Sequence, residues 1–190
     1  MSDRAPFPRL RIAFGGSMQV GKTTAADHLV RSHGFVKMAL ADPIKEIARL
    51  GFGWDGAKDA RGRRLLQKIG ATGRDFDPDL WLDKMAARVA AEPSPRVVID
   101  DVRLAREVDA LRSLGFVIVR VERPAELIDS LPEASPSHPD PTETGLEGVP
   151  VDHTVENAGT FGELYARLDR LVEEIEEERS PGSGPGDGPP

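Results

Sequence analysis

The stretch Gly15-Gly16-Ser17-Met18-Gln19-Val20-Gly21-Lys22-Thr23-Thr24 limits what this chain can become more than any other. Residues Gly16 to Thr23 satisfy the pattern G-x-x-x-x-G-K-[ST]. In that pattern backbone N–H groups wrap a phosphate chain, the lysine neutralises its outer phosphates and the hydroxyl holds Mg²⁺. The flanks agree with it. Leu10 to Phe14 read as a short buried strand, and Thr23 to His33 as a helix whose N-terminal dipole faces the phosphates. A Gly-rich turn that only joined strand to helix would leave the positions of Lys22 and Thr23 without a reason.

Short apolar runs and helical patterns alternate along the rest of the chain, as in a parallel sheet covered on both faces. The expected fold class is therefore α/β, a parallel β-sheet flanked by helices in a three-layer P-loop NTPase sandwich. Further strands are expected over 35–39, 97–101, 116–121 and 151–155. Helices are expected from Asp42, as N-cap with Pro43 at the first position, over 63–69, from Asp77-Pro78 to about Ala91, over 104–114 and over 161–175. Gly51 to Gly62, with four glycines, reads as a mobile loop. Residues 130–150 are rich in Pro, Ser, Thr, Glu and Gly and lack hydrophobic periodicity, which suits a functional or disordered segment. The chain thus reads as a single domain over 1–178 with a disordered tail over 179–190.

The surface carries a net charge of −7 and would repel polyanions, which argues against a nucleic-acid partner but not against a mononucleotide. There are no cysteines, so thiolate metal sites and disulfides are excluded. No apolar run approaches the roughly 20 residues of a membrane span, and Met1 to Pro8 lacks the apolar core of a signal peptide. The reading is a cytoplasmic protein, in the host cytoplasm if encoded by a phage, without a membrane partner. A homodimer is compatible with the chain, whose sequence leaves the assembly open.

A P-loop alone implies only a bound nucleoside triphosphate. A small-molecule kinase also needs an acceptor pocket and cations that offset charge on the transferred phosphoryl. Lys45, Arg49, Arg61, Arg63, Arg64 and Arg74 supply such cations, about half of them expected to be solvated helix-face charges. The apolar run Val97-Val98-Ile99 ends in Asp100-Asp101, where a central strand meets a site. Side chains alternate along a strand, so only one of the two can point at the metal; Asp100 is favoured. Asp101 then either reaches the acceptor or caps the following helix, and Arg103 can grip a phosphate bidentately or pair with Asp101.

Taken in order, these blocks resemble the phage-type deoxynucleoside monophosphate kinases: the P-loop, Ala41-Asp42-Pro43-Ile44-Lys45, Arg64 to Gly70 with Thr72 and Arg74, Asp79-Leu80-Trp81, and Val98 to Arg103. Arg120 to Pro124, Thr142 to Leu146 and Asp152 through Asn157-Ala158-Gly159 continue the likeness, which spans roughly 10–172. The resemblance implies ATP-dependent phosphorylation of a deoxynucleoside 5′-monophosphate, with ATP as donor and Mg²⁺ as cofactor. Gly16, Ser17, Met18, Gln19, Val20, Gly21, Lys22, Thr23 and Thr24 would hold the ATP phosphates, with Mg²⁺ on Thr23 and Asp100. Asp42, Lys45, Arg64, Gln67, Thr72, Arg74, Trp81, Asp101 and Arg103 would line the acceptor pocket (about 42–91), with Trp81 either stacking on the base or filling the core. Asn157, Ala158 and Gly159 would sit beside the adenine, and Lys22, Arg64, Arg74, Arg103 and Asp100 would serve the chemistry.

One departure stands out. A closing lid in related kinases usually carries arginines, yet 130–150 contains no Arg or Lys. As a lid it could exclude water and act through His138 or Glu143, while the cation would come from Arg64, Arg74, Arg103 or Arg123. The rival functions are a kinase for another small phosphate acceptor, such as dephospho-coenzyme A, and a P-loop ATPase or regulatory nucleotide-binding module.

Overall fold

A computed structural model describes residues 9–57, 59–129, 146 and 148–179. Its central strands carry apolar residues on both faces, as in Ile12-Ala13-Phe14 and Val97-Val98-Ile99, because both faces are covered. β1 (Leu10–Gly15) lies between β3 (Arg96–Val102) and β4 (Val117–Glu122), with β2 (Val36–Met38) outside β3 and β5 (His153–Glu156) outside β4. All pairings are parallel, and Ile12 stands opposite both Val98 and Val117. Ile12, Phe14, Val98, Val119 and Val121 project to the face covered by α1 (Lys22–His33) and α7 (Phe161–Arg179). Ala13, Val97, Ile99 and Ile118 project to the opposite face, under α4 (Leu80–Ala91) and α5 (Ala105–Ser113). Parallel strands end on one edge, and β1 is where the order of connections reverses, so a crevice opens beyond the ends of β3, β1 and β4. No described helix is long and apolar enough to cross a membrane.

Several boundaries move from their expected places. α2 (Asp42–Phe52) has Ala41, not Asp42, at its N-cap, because the Asp42 carboxylate accepts the N–H of Ala39 instead. The glycine-rich loop shrinks to 53–59. After it, α3 (Ala60–Phe76) starts from Asp59, whose carboxylate caps the N–H of Gly62, and runs far past the expected 63–69. Gly70 and Gly73 sit inside α3 for a packing reason: the Trp81 indole lies against Gly73 and donates to the Gly70 carbonyl at 2.9 Å. α4 starts at Leu80, since Asp77 spends its carboxylate on the N–H of Asp79. A short α6 (Ala125–Asp129) follows β4, and α7 continues through its glutamate run to Arg179. Most of the expected lid, 130–145 and 147, and the expected tail from 180 lie outside the described residues.

The Gly73–Trp81 contact makes a stability prediction. A methyl group at 73 meets the rigid indole, so Gly73→Ala is expected to lower unfolding free energy by about 1–3 kcal/mol. Gly51, near the end of α2, has nothing within 4 Å of where a Cβ would go, and Gly51→Ala is expected to raise stability by about 0.5 kcal/mol. Urea unfolding of both variants, followed by circular dichroism, checks the opposite signs.

Candidate active site

The P-loop bends through three residues with positive φ: Gly16 at 131°, Gln19 at 62° and Gly21 at 102°. A Cβ on Gly16 would run into the carbonyl of Val121 at the end of β4, and one on Gly21 would lie 2.5 Å from Nδ2 of Asn157. Both glycines are therefore required by conformation and by space. Asn157, buried just past β5, donates its side-chain N–H to the Val20 carbonyl at 2.8 Å and so pins the loop from the far side. The Lys22 ammonium donates to the carbonyls of Gly16, at 2.8 Å, and Ser17, which holds it over the concavity of the loop.

The loop floors a cleft of about 1200 Å³. Its walls carry five cations, Lys22, Lys37, Lys45, Arg103 and Arg123, against the carboxylates Asp42, Asp100 and Asp101. The pleat of β3 separates the two adjacent aspartates. Asp100 shares a face with Val98, toward α1, and its carboxylate lies 3.0 Å from Nζ of Lys37, which also reaches Asp27 at 2.9 Å. Partial burial works against the charge on Lys37, but Asp27 and Asp100 outweigh it and hold the ammonium above its usual range. Asp101 turns to the start of α2 and accepts the N–H groups of Leu40, at 2.7 Å, and Ala41, at 3.0 Å. Burial pushes the Asp101 carboxyl above its usual range, against these two hydrogen bonds.

Asp101 thus borders the cleft while holding its wall, and it does not cap the helix that follows. That task falls to Glu107, whose carboxylate accepts the N–H groups of Arg103 and Leu104. Among the described residues Arg103 forms no ion pair with Asp101, and its side chain is exposed beside the cleft. Arg123, just past β4, lines the cleft with a buried Nε that has no hydrogen-bond partner among the described residues. Lys45 pairs with Asp42 at 3.1 Å. The oxygen donors of Thr23 and Asp100 border one cleft, and such donors suit a hard ion like Mg²⁺.

Of the expected donor-side residues, Gly16, Met18, Gln19, Gly21, Lys22, Thr23, Thr24 and Asn157 border the cleft, whereas Ser17, Val20, Ala158 and Gly159 do not. On the acceptor side Asp42, Lys45, Asp101 and Arg103 border it, and Arg64, Gln67, Thr72, Arg74 and Trp81 do not. The reason lies in the phase of α3, which buries Gly62, Gly70 and Gly73 and turns Arg64, Gln67 and Thr72 to solvent; only Leu66 faces the cleft. Trp81 takes the core position. Reading the sequence missed Lys37, Leu66 and Phe161 as lining residues. Lys37 had a signal, as the lone charge in the apolar run Phe35-Val36-Lys37-Met38-Ala39, because a charge in a strand covered on both faces needs a partner.

A model of the deoxynucleotide monophosphate kinase family matches residues 55–168, more than half of the chain. The chain belongs to that family. The match begins downstream of the P-loop, so the two signals are independent. This kinase is similar to the uncharacterized protein ORF76 of Ictalurid herpesvirus 1 (strain Auburn), 30% identical over 169 residues that cover 86% of this chain and 67% of that protein. It is also similar to a protein of Acanthamoeba polyphaga mimivirus named "Putative deoxynucleotide monophosphate kinase", 26% identical over 195 residues, or 85% of this chain and 95% of that one. Among solved structures, a sugar kinase from Janibacter sp. HTCC2649 superposes with a TM-score of 0.53 at 19% identity, covering 87% of this chain and 95% of that chain. That likeness is one of fold, a parallel sheet flanked by helices, which in this chain has five strands.

The Lys37–Asp100 pair is expected to be energetically coupled, because the Asp100 side chain is only 9% exposed. Lys37→Met leaves that carboxylate uncompensated, whereas adding Asp100→Asn removes the charge. A double-mutant cycle on unfolding free energy is expected to give a coupling of about 1–3 kcal/mol.

Proposed function

We propose that this kinase transfers the γ-phosphoryl of ATP to the 5′-phosphate of a deoxynucleoside monophosphate, giving ADP and the deoxynucleoside diphosphate. The observation that carries the reading is a single cleft of about 1200 Å³ in which the P-loop lysine and a second set of cations, Lys45, Arg103 and Arg123, face one space. A pocket for one small ligand measures roughly 300–1,000 Å³, so this cleft has room for a donor and an acceptor together. An ATPase that uses only water needs neither the extra volume nor the extra cations.

On this reading Lys22 follows the transferred phosphoryl, and Arg103 and Arg123, past the two strands that flank β1, receive the acceptor phosphate and the charge spread over the transition state. The buried Nε of Arg123, without a hydrogen-bond partner among the described residues, supports that role, since it is already desolvated and its residue borders the cleft. An oxygen of the acceptor phosphate attacks the γ-phosphorus as the bond to the β-phosphate oxygen breaks. That oxygen is already anionic near neutral pH, so no side-chain base is required. Thr23 and Asp100 would hold Mg²⁺, which would supply positive charge to offset that of the donor phosphates. Phe161, exposed at the start of α7 beside Asn157, offers a stacking face for the adenine. The helical unit over 42–91 carries the acceptor side.

ADP formation from ATP and Mg²⁺, measured with each deoxy- and ribonucleoside monophosphate in turn, tests the proposal. Stimulation by one or more deoxynucleotides, abolished by Lys22→Ala, supports it and gives the base range. Arg123→Ala is expected to lower kcat/KM by about 30-fold, near 2 kcal/mol of transition-state stabilisation. Hydrolysis that no monophosphate stimulates favours the ATPase or regulatory reading, and stimulation by dephospho-coenzyme A alone favours the other kinase.

A further inference from the structure

On the sheet face away from α4 and α5, α1 and α7 bring three side chains to one point. Nε2 of His28 and Nε2 of His33 lie 2.6 and 2.7 Å from the same oxygen, Oδ1 of Asp169. The three donor atoms all fall within 4.8 Å of one another, and none of these residues borders the cleft. His28 is buried and its ring is held from two sides. The Tyr165 ring stacks on it with centroids 4.3 Å apart and planes 3° from parallel, and the Ser32 hydroxyl stands 3.4 Å from Nδ1. His33 meets it edge-on, with centroids 5.9 Å apart. Asp169 completes the group from the partly open side, with 45% of its side chain exposed.

We propose that His28, His33 and Asp169 form a binding site for a borderline divalent transition ion such as Zn²⁺, which ties α1 to α7. Two imidazole nitrogens and a carboxylate oxygen are the donor set such ions prefer, whereas Mg²⁺ and Ca²⁺ prefer all-oxygen sites. Both Nε2 atoms already aim at one spot. Tyr165 and Ser32 fix the orientation of the His28 ring, as outer groups do around metal-bound histidines. Zn–N and Zn–O bonds of about 2.0–2.2 Å place tetrahedral ligand atoms about 3.3 Å apart. The present contacts therefore open by about 0.6 Å when one ion replaces two shared protons. Asp169 can make that move because it is half in solvent, and the same opening admits a water as fourth ligand. α1 begins with Lys22 and Thr23 and α7 with Phe161, so an ion between them braces both helices whose first residues line the cleft.

The test uses the full-length chain, stripped with a chelator and kept in excess Mg²⁺ so that oxygen-only sites are filled. Co²⁺ is titrated in first, and visible d–d bands report nitrogen ligation; Zn²⁺ then displaces it. One equivalent is expected to bind, with Kd on the order of 1 μM. Saturating Zn²⁺ is expected to raise Tm by about 5 °C. His33→Ala and, separately, Asp169→Asn are each expected to weaken binding about 100-fold. Imidazole nitrogen NMR of the unmutated protein adds a readout independent of any variant. Zn²⁺ should move the Nε2 resonances of His28 and His33 and leave those of His138 and His153 in place. A folded chain that takes up no Co²⁺, an affinity in both variants unchanged from that of the unsubstituted protein, or shifts confined to the other two histidines would overturn the proposal and leave the cluster as a pair of hydrogen bonds to Asp169.

Discussion

The site rests on the close approach of three backbone segments at Gly16 and Gly21. The Val121 carbonyl, ending β4, occupies the space where a side chain at 16 would go, and the amide of Asn157, past β5, occupies the space at 21. Asn157 is itself fixed, since its backbone N–H donates to the Glu122 carbonyl at 2.7 Å while its side chain holds Val20. The loop from Gly16 to Lys22 is therefore clamped against the ends of two neighbouring strands. Rigidity of this kind matters because phosphoryl transfer is catalysed chiefly by positioning and fixed charge. A loop free to rearrange would lose both.

The alternation of side chains along β3 sets the electrostatics of the opposite wall. Asp100 falls on the α1 face, where Lys37 and Asp27 meet it, and Asp101 falls on the other, where Leu40 and Ala41 present their N–H groups. One aspartate stays in a charged network near Thr23, and its neighbour anchors the helical unit that begins at α2. Both contacts come from adjacent residues of a single strand, which ties the two walls together. On the β4 side, Arg120 plays a similar part by donating to the carbonyls of Leu146 and Val149, which keeps Leu146 against Gly15.

Much of this architecture was legible in the residues. The five expected strands became five parallel strands, the central ones marked by apolar residues on both faces because both faces are covered. The P-loop announced itself through Gly16, Gly21, Lys22 and Thr23, and the pleat implied that Asp100 and Asp101 face opposite ways; the expectation that only one of them reaches the site does not hold, since both border the cleft. What periodicity could not supply was the length and phase of α3. The helix was expected over 63–69, yet Gly70 and Gly73 lie inside it because Trp81 needs the room, a fact that depends on a residue one helix away.

By itself, then, the sequence determined the layered α/β architecture, the phosphate loop and the strand edge on which the carboxylates lie, since each depends on neighbours close along the chain. Tertiary structure alone decided which cations enter the cleft. Arg64 and Arg74 have the right chemistry but sit on faces of α3 turned from the site, while Lys37 and Arg123 reach it from the ends of strands 86 residues apart in sequence, by difference of their numbers. It likewise decided that His28 and His33 would meet Asp169, 136 residues beyond His33. Contacts across such separations are set by how helices pack on a finished sheet, and no local pattern encodes them.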